Sequence, residues 1–158
     1  MSTGEKKTLS KEEISEKIRH YCAYQERSQL QVIRKLKNLG CAEEQIPGIL
    51  ELLAAQNYQN EQRFTGQYVR SRAAKGWGPV KIAQALRRET GAVPPDEILR
   101  DADAGRKAVE KLEKELRKKK DELIRKEASL IREKLYYFCL RRGFDAETSI
   151  EVIKKLFS

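Results

Sequence analysis

Residues 61–89, EQRFTGQYVRSRAAKGWGPVKIAQALRRE, decide the fold class of this chain. Phe64, Tyr68 and Val69 have the spacing of residues on one side of a helix. Gly76 follows at a place where a helix can end in a left-handed conformation, which glycine adopts without strain. The stretch therefore predicts a helix that stops at a glycine turn.

A second helix begins directly after this turn. Trp77 lies between two glycines, and Pro79 suits the first turn of a helix because its missing N–H needs no partner there. Ile82 and Leu86 give that helix an apolar stripe. Trp77 has two candidate roles, stacking on nucleic-acid bases or packing between helical units. Basic residues around the turn are candidates for binding a polyanion: Arg70, Arg72, Lys75, Lys81, Arg87 and Arg88.

Other helix boundaries follow from capping residues and glycines. A serine followed three residues later by Glu or Gln forms a capping box, in which the two side chains satisfy free backbone N–H groups. Helix starts are predicted at Ser10, Ser28, Asn60 and Asp145. Helix ends are predicted at Gly40, Gly76, Gly91 and Gly143. Pro47 restricts the start of the third helix to residues 43–45, because proline fits only the first helical turn.

A long amphipathic segment follows Gly105. Its apolar residues are three, four or seven positions apart among Lys and Glu, which predicts one long helix or two consecutive ones. These apolar residues are Val109, Leu112, Leu116, Leu123 and Leu130. The run of three lysines and an aspartate at 118–121 is the predicted break. Basic residues in and after this segment form a second candidate surface: Lys118, Lys119, Lys120, Arg125, Lys126, Arg141 and Arg142.

Apolar positions and glycine turns recur along the chain. Ile33, Gly40 and Ile46 correspond to Ile82, Gly91 and Ile98, and again to Tyr136, Gly143 and Ile150. Such a period indicates tandem helical units that stabilise one another. We expect an elongated, all-α array with a flexible tail at 1–9 and repeats at 10–56, 57–104 and 105–158, each turning its recurring apolar residues inward.

The composition excludes several classes of protein. A net charge of +9 predicts attraction to polyanions. No apolar run approaches the ~20 residues that span a bilayer, and no signal peptide precedes the first helix, so a cytosolic location is expected. His20 is the only histidine, and nucleophile motifs and phosphate-binding loops are absent from the sequence. We therefore expect a protein that is not an enzyme and that needs no cofactor. Cys22, Cys41 and Cys139 lack paired spacing and are expected to be buried.

Three stretches resemble signatures of the RecX family, the bacterial modulators of the RecA recombinase. They are RFTGQYVRSR at 63–72, KGWGPVKIAQAL at 75–86 and KLYYFCLRRGF at 134–144. The resemblance implies a curved array of three three-helix repeats. It also implies a monomer that caps the RecA filament on single-stranded DNA or lies in its groove. It implies that filament growth, ATP hydrolysis, strand exchange and coprotease activity are limited, with ATP bound by RecA. Cys41 and Ala42 depart from the family pattern, which has an aromatic or aliphatic residue followed by an acidic cap.

Two other functions fit the same residues. Three-helix units resemble helix-turn-helix modules, so the chain could bind nucleic acid without sequence preference and independently of RecA. Alternatively, the long Lys/Glu helix could pair with a partner helix in a scaffold. Salt distinguishes binding to the RecA filament from binding to bare nucleic acid. Binding through phosphate contacts falls steeply as the salt concentration rises.

Overall fold

The computed structural model describes residues 8–124 and 130–158, and every regular element in these ranges is a helix. The α-helices are α1 (Lys11–Tyr24), α2 (Gln29–Asn38), α3 (Ile46–Ala55), α4 (Glu61–Ala74), α5 (Pro79–Thr90), α6 (Asp96–Leu99), α7 (Ala102–Ile124), α8 (Ile131–Arg141) and α9 (Ala146–Leu156). A 3-10 turn at Glu43–Gln45 precedes α3. The predicted all-α class is confirmed, and the helix order agrees with three consecutive groups of three.

The predicted capping residues begin their helices. Ser10 and Ser28 each form a complete capping box with the residue three positions later. The Asn60 side chain accepts a hydrogen bond of 2.9 Å from the Arg63 backbone N–H, and Asp145 caps α9 in the same way. Left-handed glycines follow four helices, as predicted: Gly40, Gly76, Gly91 and Gly143.

The predicted break at residues 118–121 is wrong. α7 runs without interruption from Ala102 through Ile124, and α8 begins at Ile131. Lysine is a favourable helix former, and the buried residues Leu112 and Leu116 hold the helix against α8 and α9. The apolar face of α7 is covered at Leu112 and Leu116, whereas Ile124 at its end is 56% exposed, so pairing with a partner helix stays an untested alternative. α7 also begins before Gly105, because the Asp101 carboxylate accepts from the Ala104 backbone N–H at 2.9 Å.

The chain packs as two compact units. Unit 1 comprises residues 1–65 together with 89–91, and unit 2 comprises residues 66–88 together with 92–158. The core of unit 1 includes Ile18, Val32, Leu36, Ile46 and Leu53. The core of unit 2 includes Leu86, Leu112, Leu116, Leu135 and Cys139. The repeat boundaries at 56/57 and 104/105 stay a prediction.

Two helices turn different residues inward from those expected. In α2 the deepest positions are Val32 and Leu36, whereas Ile33 is only half-buried. In α9 Ile150 is 45% exposed and Val152 is buried in its place, while Ile153 is buried as expected. Each shift rotates the buried stripe by one or two positions, because it depends on which neighbouring helix covers the face.

All three cysteines are buried, as predicted. Burial raises the pKa of each thiol, and for Cys139, which is fully enclosed, it raises the pKa to about 11. A thiolate is the reactive form of cysteine, so these side chains pack as small apolar groups at neutral pH.

Candidate polyanion-binding surface

All the described candidate residues from both predicted surfaces lie in unit 2. Arg125 and Lys126 lie outside the described residues. Six candidates are exposed: Arg70, Lys75, Arg87, Arg88, Lys118 and Arg141. Six are half-buried: Arg72, Trp77, Lys81, Lys119, Lys120 and Arg142. Within residues 8–124 and 130–158, none of the six exposed side chains forms an ion pair.

Trp77 lies between two cations at the turn that joins α4 to α5. The Arg72 guanidinium is 4.9 Å from the centre of its ring, and Lys81 Nζ is 4.1 Å from it. Arg72 also lies 4.8 Å from the ring of Tyr68. A cation over an aromatic face is attracted by the negative charge of the π system. The Trp77 ring therefore supports two basic side chains, while base stacking and packing between repeats stay predictions for it.

Two phenylalanines support the other half-buried cations in the same way. Lys119 Nζ lies 4.6 Å from the Phe138 ring, and the Arg142 guanidinium lies 5.1 Å from it. Lys120 Nζ lies 4.2 Å from the centre of the Phe157 ring. Lys120 Nζ also donates a hydrogen bond of 3.0 Å to the carbonyl of Leu156. Every half-buried basic candidate in unit 2 therefore rests on an aromatic ring.

The predicted site residues include Trp77 but neither of the two phenylalanine rings, and they lack one further cation. Arg132 lies 4.7 Å from the Phe157 ring and completes that pair with Lys120. A sequence signal exists for some of these contacts but not for the majority, because only some join residues four positions apart, which are neighbours along a helix. The aromatic and basic residues at this spacing are Tyr68 with Arg72, Trp77 with Lys81, and Phe138 with Arg142.

The two surfaces that the sequence separated meet at a pair of glycine turns. Gly78 N–H donates to the Arg142 carbonyl at 2.6 Å, and Val80 N–H donates to the Gly143 carbonyl at 3.1 Å. A Cβ at Gly78 would overlap the Gly143 carbonyl, and a Cβ at Gly143 would overlap Lys81. Both positions require glycine because the two backbones touch. The two glycine turns thus bring the two predicted surfaces together. We call the result the cationic surface, and its residues are Arg72, Trp77, Lys81, Lys119, Phe138 and Arg142.

A carboxylate lies within this cationic surface. Glu115 Oε2 is 3.1 Å from Arg142 Nη2, in an ion pair whose side chains are 25% and 32% exposed respectively. Glu115 Oε1 would lie 3.8 Å from a Cβ placed on Gly76. The carboxylate therefore lies beside the turn that joins α4 to α5, which we call the Trp77 turn. Two residues earlier on α7, Glu113 pairs with Lys155 at 3.4 Å, outside the set of residues that forms the cationic surface.

The described residues hold no candidate metal site and no candidate membrane span. No group of three or more His, Cys, Asp or Glu side chains in these ranges is arranged to bind a metal ion. None of the helices in the described ranges has the length and hydrophobicity to cross a bilayer. His20 is exposed on α1 in unit 1. The chemical feature of the cationic surface is therefore its positive charge, which the aromatic rings hold in fixed positions.

Comparison with known proteins places this site within a family. A family profile described as "RecX, second three-helix domain" matches residues 60–89, which contain the Trp77 turn. Regulatory protein RecX of Haemophilus influenzae (strain 86-028NP) is 30% identical over 130 residues, which cover 81% of this chain and 84% of that protein. Regulatory protein RecX of Mannheimia succiniciproducens is 31% identical with the same coverage. The chain belongs to the RecX family.

Solved RecX structures share the fold. The crystal structure of RecX from Lactobacillus salivarius superposes with a TM-score of 0.76 at 22% identity, covering 92% of this chain and 95% of that one. A second crystal structure of regulatory protein RecX gives a TM-score of 0.72 at 22% identity, over 91% of this chain and 73% of that one. The resemblance found at residues 63–72 and 75–86 is confirmed, because both stretches lie inside the matched range. The protein is thus a member of a family of regulatory proteins.

Proposed function

We propose that this RecX-family protein regulates RecA by binding the RecA filament on single-stranded DNA through the cationic surface of unit 2. Binding lowers the filament's ATP hydrolysis, strand exchange and coprotease activity. The observation that carries the proposal is the junction of the Trp77 turn with Arg142, which gathers the basic residues of two sequence motifs into one surface. Membership of the RecX family supports RecA as the target.

The geometry of the cationic surface suits contact with phosphates or with acidic protein side chains. Lysine and arginine lose rotamer freedom when they bind, and this loss opposes association. Arg72, Lys81 and Arg142 are already held over aromatic rings, so less of this freedom remains to be lost. The same cations cover the ring faces. Recognition therefore proceeds through charge, with little stacking of bases on the rings.

Binding can change filament activity only if it favours one filament state. A ligand shifts an equilibrium by the difference between its affinities for the two states. A protein that contacts successive RecA protomers on one strand meets a spacing that differs between states, and it stabilises the state whose spacing it matches. No cofactor on this chain takes part, and the ATP in question is bound by RecA.

The test is ATP hydrolysis by RecA from the same organism on single-stranded DNA, with this protein titrated at physiological salt. We expect inhibition well below one molecule per RecA protomer. Lys75 and Arg141 are exposed and lie one and two residues before the left-handed glycines Gly76 and Gly143, so reversing their charge (Lys75→Glu with Arg141→Glu) should weaken inhibition. The matched control reverses two exposed arginines of unit 1, Arg19 and Arg34, and should leave inhibition unchanged.

Other results would redirect the assignment. Equal weakening by both charge-reversed pairs would show that net charge matters and the unit 2 surface does not. No inhibition by the wild-type protein, together with binding to bare DNA, would contradict the RecA assignment and support a RecA-independent nucleic-acid-binding protein. Salt separates these cases, because binding dominated by RecA contacts should persist at salt concentrations that abolish binding to bare DNA.

A further inference from the structure

Glu115 is an acidic residue that pairs with Arg142 of the cationic surface, and Arg142 is held in place without it. The Arg142 guanidinium rests on Phe138 at 5.1 Å. The backbone of Arg142 is fixed at both ends, since its N–H donates to the Phe138 carbonyl at 3.1 Å and its carbonyl accepts from Gly78 at 2.6 Å. The ring and the turn therefore position Arg142, and the carboxylate of Glu115 adds a neutralising charge.

The contact between Glu115 and Arg142 is of a kind that another anion can displace. It is a single close approach at 3.1 Å, and Glu115 Oε2 has no well-aligned hydrogen bond from any described residue. Strong arginine–carboxylate pairs are bidentate and well aligned. The two side chains are partly exposed, but Glu115 Oε2 itself is buried and accepts no hydrogen bond from the described part of the chain. A phosphate that reaches Arg142 therefore competes with a poorly aligned carboxylate, and it leaves that carboxylate oxygen without its cation.

We propose that Glu115 competes with the polyanion for Arg142 and thereby limits the affinity of the cationic surface. This inference rests on the proposed function and names a residue that tunes the same site. With Glu115 in place, a ligand gains Arg142 only by displacing a neighbouring negative charge. A single small anion gains little from that exchange, whereas a chain of phosphates that also meets Lys81 and Lys119 gains several contacts at once. Glu115 thus favours extended polyanions over isolated anions.

Filter binding of a radiolabelled oligothymidine across a range of salt concentrations tests the proposal. Glu115→Gln keeps the shape of the side chain and removes its charge. We expect it to bind roughly five- to tenfold more tightly than the wild type at ~50 mM salt, because one freed phosphate contact steepens the slope of log K against log salt by about 0.7. Glu115→Ala removes the whole carboxylate and should give a similar gain.

Two controls separate this effect from net charge. Glu113→Gln changes the total charge equally from the same helix, but frees Lys155, which is not a residue of the cationic surface. It should leave the slope unchanged. In a chain that already carries Arg142→Gln, Glu115→Gln should produce no gain, because the side chain it releases is absent.

The outcomes are decisive for each proposal separately. The inference about Glu115 is overturned if neither Glu115 variant binds more tightly than the wild type, or if Glu113→Gln gives the same gain. The helical signal in far-UV circular dichroism shows whether each variant is folded. The RecA proposal is tested in parallel by ATP hydrolysis, and it fails if the wild type and Glu115→Gln both leave RecA activity unchanged, whatever their affinity for oligothymidine.

Discussion

The glycine turns at Gly40 in unit 1 and Gly143 in unit 2 are built alike but have different surroundings. Both glycines are left-handed, with φ of +82° and +92°. At each turn, the backbone N–H of the residue after the glycine donates to the carbonyl five residues earlier. Cys41 N–H donates to the Leu36 carbonyl at 3.0 Å, and Phe144 N–H donates to the Cys139 carbonyl at 3.2 Å. This is the Schellman arrangement that ends helices. A Cβ at Gly40 would meet open space, whereas one at Gly143 would overlap Lys81.

The helices that follow the two turns also begin differently. Asp145 accepts from the Thr148 backbone N–H at 2.7 Å and starts α9 directly. Ala42, at the corresponding position in unit 1, has no side-chain acceptor, and a 3-10 turn precedes α3. The departure from the family pattern at this position therefore has a structural result. A turn that only reverses the chain tolerates such change, whereas the Gly143 turn also carries the junction with Gly78.

The largest expected effect distinguishes the two glycines. Gly143→Ala should lower the free energy of unfolding by about 3 kcal/mol, because left-handed strain and overlap with Lys81 add together. Gly40→Ala should cost about 1 kcal/mol, from strain alone. Urea unfolding followed by circular dichroism measures both. Equal losses would show that the contact with Lys81 is unimportant.

An intermediate effect is expected at the other side of the junction. Gly78→Ala should destabilise the protein by about 2 kcal/mol, because its Cβ would overlap the Gly143 carbonyl and separate the two turns. Gly48→Ala is the matched control, since Gly48 lies in α3 with open space around it and the change should stabilise the helix by about 0.5 kcal/mol. Both values come from the same urea titration. A neutral Gly78→Ala would contradict direct backbone contact.

The smallest effect concerns the caps. Ala42→Ser should stabilise the protein by about 0.5 kcal/mol, because the hydroxyl and Gln45 would form the same capping box as Ser28 and Gln31. Asp145→Ala, which makes unit 2 resemble unit 1, should cost about 1 kcal/mol. Thermal unfolding detects both changes, and opposite signs are the expected pattern. A loss on Ala42→Ser would mean that the 3-10 turn is required by its own packing.

Local features of this fold could be predicted from the sequence. Ser10, Ser28, Asn60 and Asp145 cap helices because each acts on backbone groups two or three residues away. The glycine ends follow for the same reason. The break at 118–121 was wrong because a cluster of charges does not oppose helix formation, and the burial of Leu116 one turn away favours it.

The joined surface depends on contacts between distant parts of the chain. Nothing near Gly78 in the sequence indicates that its N–H meets the carbonyl of Arg142. The stacking of Lys119 on Phe138 likewise joins two helices. By contrast, Trp77 with Lys81 and Phe138 with Arg142 are four residues apart, and that spacing was available in the sequence. The candidate residues were therefore predictable, and their assembly into one surface was not.

The position of Trp77 gives the protein an intrinsic optical reporter. Trp77 is the only tryptophan in the chain, and two cations lie within 5 Å of its ring centre. The emission of an indole depends on the charges next to it. A phosphate that draws Lys81 or Arg72 away from the ring changes the emission wavelength and intensity. Because nucleic acids contain no indole, occupancy of the cationic surface can be followed by intrinsic fluorescence, without a dye on either molecule.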